Sequence, residues 1–189
     1  MHVHHALMLA AMLATAAPVV AATSVIGGGY GKSCYEAAEF GKSFRAGVEA
    51  CNTALSQEAL TVTDRAATLV NRGIVQMQAK NHAAAIADYD AAIRLRPQTA
   101  EAYVNKGIAL LHLGGRDAEA VALLTLGLER DPARPEIAYY TRGIANELIG
   151  ATRNAYEDFA RAVELAPNWA DAIKELARFQ LVRKKTAGV

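Results

Sequence analysis

Ala66-Ala67-Thr68-Leu69-Val70-Asn71-Arg72-Gly73-Ile74-Val75-Gln76-Met77-Gln78 is the stretch whose reading decides the fold. Its apolar positions Ala66, Leu69, Val70, Ile74 and Met77 recur at helical spacing. A second stretch, residues 83–95, puts Ala85, Ile86, Tyr89, Ala92 and Ile93 on one helical face. Lys80-Asn81-His82 is a short polar turn between them, and Pro97 ends the pair, because proline cannot donate the helical hydrogen bond. The same signature recurs downstream. Glycine stands at Gly73, Gly107 and Gly143, alanine at Ala85, Ala120 and Ala155, and a large apolar residue at Tyr89, Leu124 and Phe159. Proline closes each unit at Pro97, Pro132 and Pro167. The glycines are 34 and 36 residues apart, a period that marks stacked supersecondary units.

Glycine inside a helix costs roughly 1 kcal/mol against alanine. Its return at one register predicts a steric reason: close approach of the partner helix, with Ala85, Ala120 and Ala155 as the small residues opposite. Gly114-Gly115 marks the turn of the second unit and carries a one-residue insertion. The expected fold is all-α, a solenoid of helical hairpins.

The pattern resembles the tetratricopeptide repeat, whose consensus reads Trp-x2-Leu-Gly-x2-Tyr, then Ala-x3-Phe, then Pro. The resemblance covers about residues 66–169. The Gly, Ala, large-apolar and Pro positions match, and the Trp position holds Leu69, Tyr103 and Tyr139. Two positions depart: Arg72, Lys106 and Arg142 replace the Leu, and Gln76, Leu110 and Asn146 replace the Tyr. The expected units are 66–99, 100–134 and 135–168. Such units need caps at both ends. Residues 169–189 form the C-terminal cap, with Trp169, Ile173, Leu176, Ala177 and Leu181 expected to cover the third unit. The basic end Arg183, Lys184 and Lys185 reads as solvated cations near a helix C-terminus.

Residues 1–31 contain no Lys, Arg, Asp or Glu. The apolar run 6–17 and the small residues Val20-Ala21-Ala22 predict a secretory signal peptide, residues 1–22, although His2, His4 and His5 stand where positive residues are usual. The alternative is an uncleaved anchor. The expected address is the periplasm, with no stable membrane insertion once the signal is removed. Residues 23–33 read as a flexible Gly-rich leader. Within it Gly27 to Ser33 imitates a phosphate-binding loop, but the pattern requires glycine at Ile26.

Two cysteines in an exported chain favour a disulfide between Cys34 and Cys51. Aligning Gly47 with Ala85 puts Cys51 where Tyr89 falls and Cys34 where Arg72 falls. Residues 34–65 thus read as a degenerate, disulfide-linked helical cap; two buried thiols are the alternative. Residues 60–65 read as an insertion with Thr63 or Asp64 as helix N-cap.

The net charge of +1 and the lack of a basic stripe argue against nucleic acid as partner. No catalytic constellation is visible, so an enzyme is not expected, and neither a cofactor nor a metal is implied. His82, in a turn, and His112 lack ligand partners at recurring spacing. Asp88, Asp90, Glu157 and Asp158 read as a solvated outer face of the second helices. The resemblance implies a concave groove lined by the first helices, at Val70, Val104 and Tyr140; at Asn71, Asn105 and Thr141; and at Met77, Leu111 and Glu147. An amide offers donors and an acceptor to a peptide backbone; an internal bond to the neighbouring repeat is the alternative for both asparagines. Ile74, Ile108 and Ile144 occupy a position that the carboxylate-clamp subclass needs, so a ligand of that type is not expected. The implied function is an adaptor that binds a protein or peptide. A subunit permanently packed in an envelope complex or self-oligomer is the alternative.

Overall fold

A computed structural model describes residues 29–41 and 43–186. The expected signal peptide lies outside the described residues, as do the side chains of Leu181, Arg183, Lys184 and Lys185. Among the described residues the structure is helical throughout: α1 (Tyr30–Phe40), α2 (Phe44–Gln57), α3 (Val62–Gln78), α4 (His82–Leu95), α5 (Ala100–Leu113), α6 (Asp117–Leu128), α7 (Pro135–Leu148), α8 (Thr152–Leu165) and α9 (Ala170–Thr186). No described helix is long and apolar enough to cross a membrane. Successive helices pair as hairpins α1–α2, α3–α4, α5–α6 and α7–α8, each packed on the next, with α9 against α8.

The recurring glycines have a packing cause. A Cβ on Gly73 would lie 2.4 Å from Tyr89 Cε1, one on Gly107 2.8 Å from Leu124 Cγ, and one on Gly143 2.9 Å from Phe159 Cε1. The large residue of the second helix therefore lies flat on the glycine of the first. The nearest atoms at these places belong to the large residues rather than to the expected alanines, and at Gly107 the Ala120 carbonyl oxygen follows at 3.4 Å. The small residue makes room for the large one, and Tyr89, Leu124 and Phe159 become fully buried.

Seven residues after each glycine the turn needs a left-handed backbone: Lys80 has φ 62°, Gly114 75° and Gly150 80°. Gly41, with φ 62°, stands seven residues after Cys34. Cys34 therefore takes the glycine place, one residue on from the Arg72 register expected from sequence. Cys51 takes the place of Tyr89. The two are bonded, with Cα atoms 4.7 Å apart and both side chains fully buried. The disulfide thus replaces the glycine–aromatic contact in the first hairpin.

Three expected boundaries move. The first helix starts at Tyr30, inside the segment expected to be leader, because Glu58 caps it: the backbone N–H groups of Tyr30 and Gly31 donate to the Glu58 carboxylate at 2.7 and 3.1 Å. The N-cap of α3 is Thr61, whose hydroxyl accepts from the Asp64 N–H at 3.1 Å, so the expected caps Thr63 and Asp64 lie within the helix. His82 opens α4 instead of lying in the turn.

The C-terminal segment covers the third unit with Trp169, as expected, and otherwise with residues not expected. Ala172 is fully buried, Phe179 packs on Phe159 at 5.8 Å and on Tyr156 at 6.1 Å, and Trp169 packs on Tyr140 at 4.5 Å between ring centroids. Ile173 and Ala177 face outward, and Leu176 is half-buried.

Candidate functional site

The first helices are enclosed by neighbours on both sides, which decides what the expected groove residues can do. Val70, Asn71 and Val104 are fully buried, and Met77, Asn105, Leu111 and Thr141 are nearly so. Asn105 donates from its side-chain amide to the Glu101 carbonyl at 2.9 Å, and Thr141 from its hydroxyl to the Ile137 carbonyl at 2.8 Å. The asparagine positions are thus inside the solenoid and do not present an open ladder. Tyr140 and Glu147 remain half-buried.

Both of these meet α9. Arg178 sits between Glu147 and Glu175, bonded to Glu147 Oε2 at 2.6 Å and ion-paired with Glu175. Burial, together with Glu175 and Asp171, pushes the Tyr140 phenol up to about 12, against a smaller lowering by Arg178. The third-unit end of the first-helix surface is therefore spanned by Trp169 and Arg178.

The departures from the repeat consensus form one system. Arg72 donates from Nε and Nη2 to the Asp88 carboxylate at 2.9 and 2.5 Å, and from Nη1 to Asn52 Oδ1 at 2.8 Å. Arg142 repeats this with Asp158 at 3.0 and 2.7 Å and with the Thr125 hydroxyl at 3.1 Å. Asn146 adds a bond to Asp158 at 2.9 Å. Each cation thus grips the second helix of its own hairpin and that of the preceding one. The middle unit has Leu123 where Asp88 and Asp158 stand, so Lys106 turns to Asp90 of the preceding hairpin, at 2.6 Å. Asp88 and Asp158 are 7% and 5% exposed, which corrects their expected place on a solvated face. Glu157 is exposed and pairs with Arg153 at 2.8 Å. A Leu-to-Arg departure carried a signal, namely an acid 16 residues on at both Arg72 and Arg142, that sequence reading left unused.

His82 and His112 do meet: their rings lie 5.7 Å apart between centroids with planes 8° from parallel. Burial, then the His82 charge, lowers the His112 pKa below the usual 6.5. A shallow depression on the outer side of α2 is lined by Phe44, Arg45, Val48, Glu49, Asn52, Thr53 and Ser56.

Residues 73–114 match the TPR repeat family pattern. No curated protein matches the sequence significantly. Among solved structures, the Arabidopsis OM64 TPR domain is 25% identical, covers 62% of this chain and 96% of its own, and superposes with a TM-score of 0.59. The second TPR domain of human RPAP3, solved in complex with an HSP70 peptide, is 23% identical over 64% of this chain and 98% of its own, with a TM-score of 0.58. MamA from Desulfovibrio magneticus RS-1 is 22% identical over 85% of this chain and 88% of its own, with a TM-score of 0.65. The matched segment runs from the glycine of one hairpin to the turn of the next, and its glycine, alanine, large-apolar and proline positions recur in the third unit; the chain carries a tetratricopeptide-repeat segment within a tetratricopeptide-like helical solenoid.

Proposed function

We propose that this chain is an exported scaffold that holds a protein or peptide partner on the first-helix side of its solenoid. The observation that carries this reading is the shared hairpin stack: the RPAP3 domain, which has the same fold, was solved holding a peptide. Fold alone does not dictate function, so the surface matters. Of the groove positions Val70, Asn71, Met77, Val104, Asn105, Leu111, Tyr140 and Thr141, Tyr140 is the least enclosed. Together with Glu147 it is where a partner first meets the groove, in competition with Trp169 and Arg178. Export to the periplasm follows from the residues 1–22 reading and agrees with an oxidised Cys34–Cys51 pair.

The test is capture from envelope extract with the oxidised full-length chain, alongside Tyr140→Ser. A partner kept by the parent and lost by the variant supports the groove; one kept by both moves the interface elsewhere. Cell fractionation and the mass of the mature chain check export: a periplasmic product beginning at Thr23 is expected. One observation favours a second reading, a permanently packed subunit. Tyr30, Phe40, Phe44 and Val62 expose apolar surface around the first hairpin, with Phe40 64% exposed. A solution mass above that of one chain, without added partner, would favour it.

A further inference from the structure

Met77 near the end of α3, His82 at the start of α4 and His112 near the end of α5 converge at the turn edge where the first two repeats meet. His82 Nδ1 lies 3.3 Å from Met77 Sδ. The His82 and His112 ring centroids are 5.7 Å apart. Met77 is buried and both imidazoles are half-buried, so the sulfur stands in apolar ground and the rings reach solvent.

Packing alone does not demand this trio. At the next junction the equivalent places hold Leu111, Asp117 and Leu148, and the same hairpin stacking is built without it. We propose that Met77, His82 and His112 form a site for monovalent copper, clamping the first repeat to the second. Thioether and imidazole together are a soft, neutral donor set that selects Cu(I). Among the described residues no group of three or more His, Cys, Asp or Glu gathers to hold a metal, so a borderline or hard divalent ion lacks its usual ligands here.

The distances fit. Metal–nitrogen and metal–sulfur bonds of about 2.0 and 2.3 Å place two donors on one ion a little over 3 Å apart at an open angle. The observed Nδ1 to Sδ separation of 3.3 Å meets that. An imidazole centroid lies about 3 Å from an ion bound through one ring nitrogen, so two rings sharing an ion have centroids at most about 6 Å apart. The observed 5.7 Å is inside that limit, and because the two planes are stacked 8° from parallel, one imidazole turns about its χ2 bond to aim its nitrogen at the shared ion.

The experiment uses the oxidised full-length chain, titrated anaerobically with Cu(I) held as its bicinchoninate complex, with ascorbate present. One equivalent of copper should pass to the protein. Met77→Leu, which conserves volume, and His112→Phe, which keeps a ring in place, should each weaken that transfer at least about tenfold. A circular-dichroism melt without metal checks that each variant is folded; if His112→Phe fails, Met77→Leu decides alone. X-ray absorption should show mixed nitrogen and sulfur ligation. No transfer overturns the proposal. Equal transfer to parent and folded variants also overturns it, and places the copper elsewhere on the chain. Tighter retention of Zn²⁺ than of Cu(I) would overturn the soft-ion assignment.

Discussion

Tyr89 carries the largest local contradiction in the chain. Its ring is required, since it fills the space left open by Gly73. Its hydroxyl is fully buried with no hydrogen-bond partner, and burial, then the neighbouring Asp88 carboxylate, raises its pKa well above 10. An unsatisfied buried polar group costs about 1–3 kcal/mol. Tyr89→Phe keeps the ring, removes the orphan, and should stabilise the protein by about 1 kcal/mol in urea melts. A lower midpoint would mean that the hydroxyl has a partner. Lys80 is the second case. It holds the left-handed position that glycine holds at Gly114 and Gly150. A non-glycine residue there costs roughly 1–2 kcal/mol, so Lys80→Gly should raise stability by up to about 1 kcal/mol after the entropy of the added glycine. Neither residue could be flagged from the sequence. Tyr is an ordinary large residue at its position, and a turn lysine looks solvated.

At the scale of helices, the three repeat hairpins are each held by a small residue against a large one, and in the first and third of them one arginine reaches two second helices. Gly107→Leu would drive a branched side chain into Leu124, whose Cγ lies 2.8 Å from the nearest added atom, and should cost about 1–3 kcal/mol. An unchanged thermal midpoint would refute the packing account. The ion pairs should rank by burial. Asp158 has a 6% exposed side chain and holds Arg142 and Asn146, so Asp158→Ala should cost about 3–5 kcal/mol. Asp90, with a side chain 35% exposed, holds Lys106 alone, and Asp90→Ala should cost nearer 1 kcal/mol. Reversal of that order would show that solvent exposure does not set their worth. The sequence displayed the cations as departures from a consensus. Their partners lie on other helices, some in the preceding repeat, and only the stacking brings those together.

For the whole molecule, stability in a solenoid is a sum of hairpin terms and nearest-neighbour interfaces. The disulfide therefore acts at one end. Its loop spans 17 residues, for which chain-entropy models give about 3 kcal/mol. Cys51→Ala, or reduction, should lower hydrogen-exchange protection most in α1 and α2, less in α3, and least in α7 and α8. Uniform loss across all hairpins would mean that the chain unfolds as one unit. The opposite end is closed by α9, through Trp169, Phe179 and Arg178.

The sequence by itself determined the helical hairpins and their period, because these are written in local spacing, and it marked the small residues of the first helices without pairing them to the large ones that fill the space. The cysteine pair was legible too, since it falls on two adjacent helices at a repeat register. Only the tertiary structure decided which faces stay open. Asn71, Asn105 and Thr141 share a register with groove positions, yet packing against helices on both sides encloses them. Likewise Ile173 looked like capping surface and faces outward, while Ala172 and Phe179 make the contact. A helical period gives the angular position of a side chain about its own axis; whether that angle meets solvent, a partner helix or another repeat is set by the neighbours, which the period does not encode.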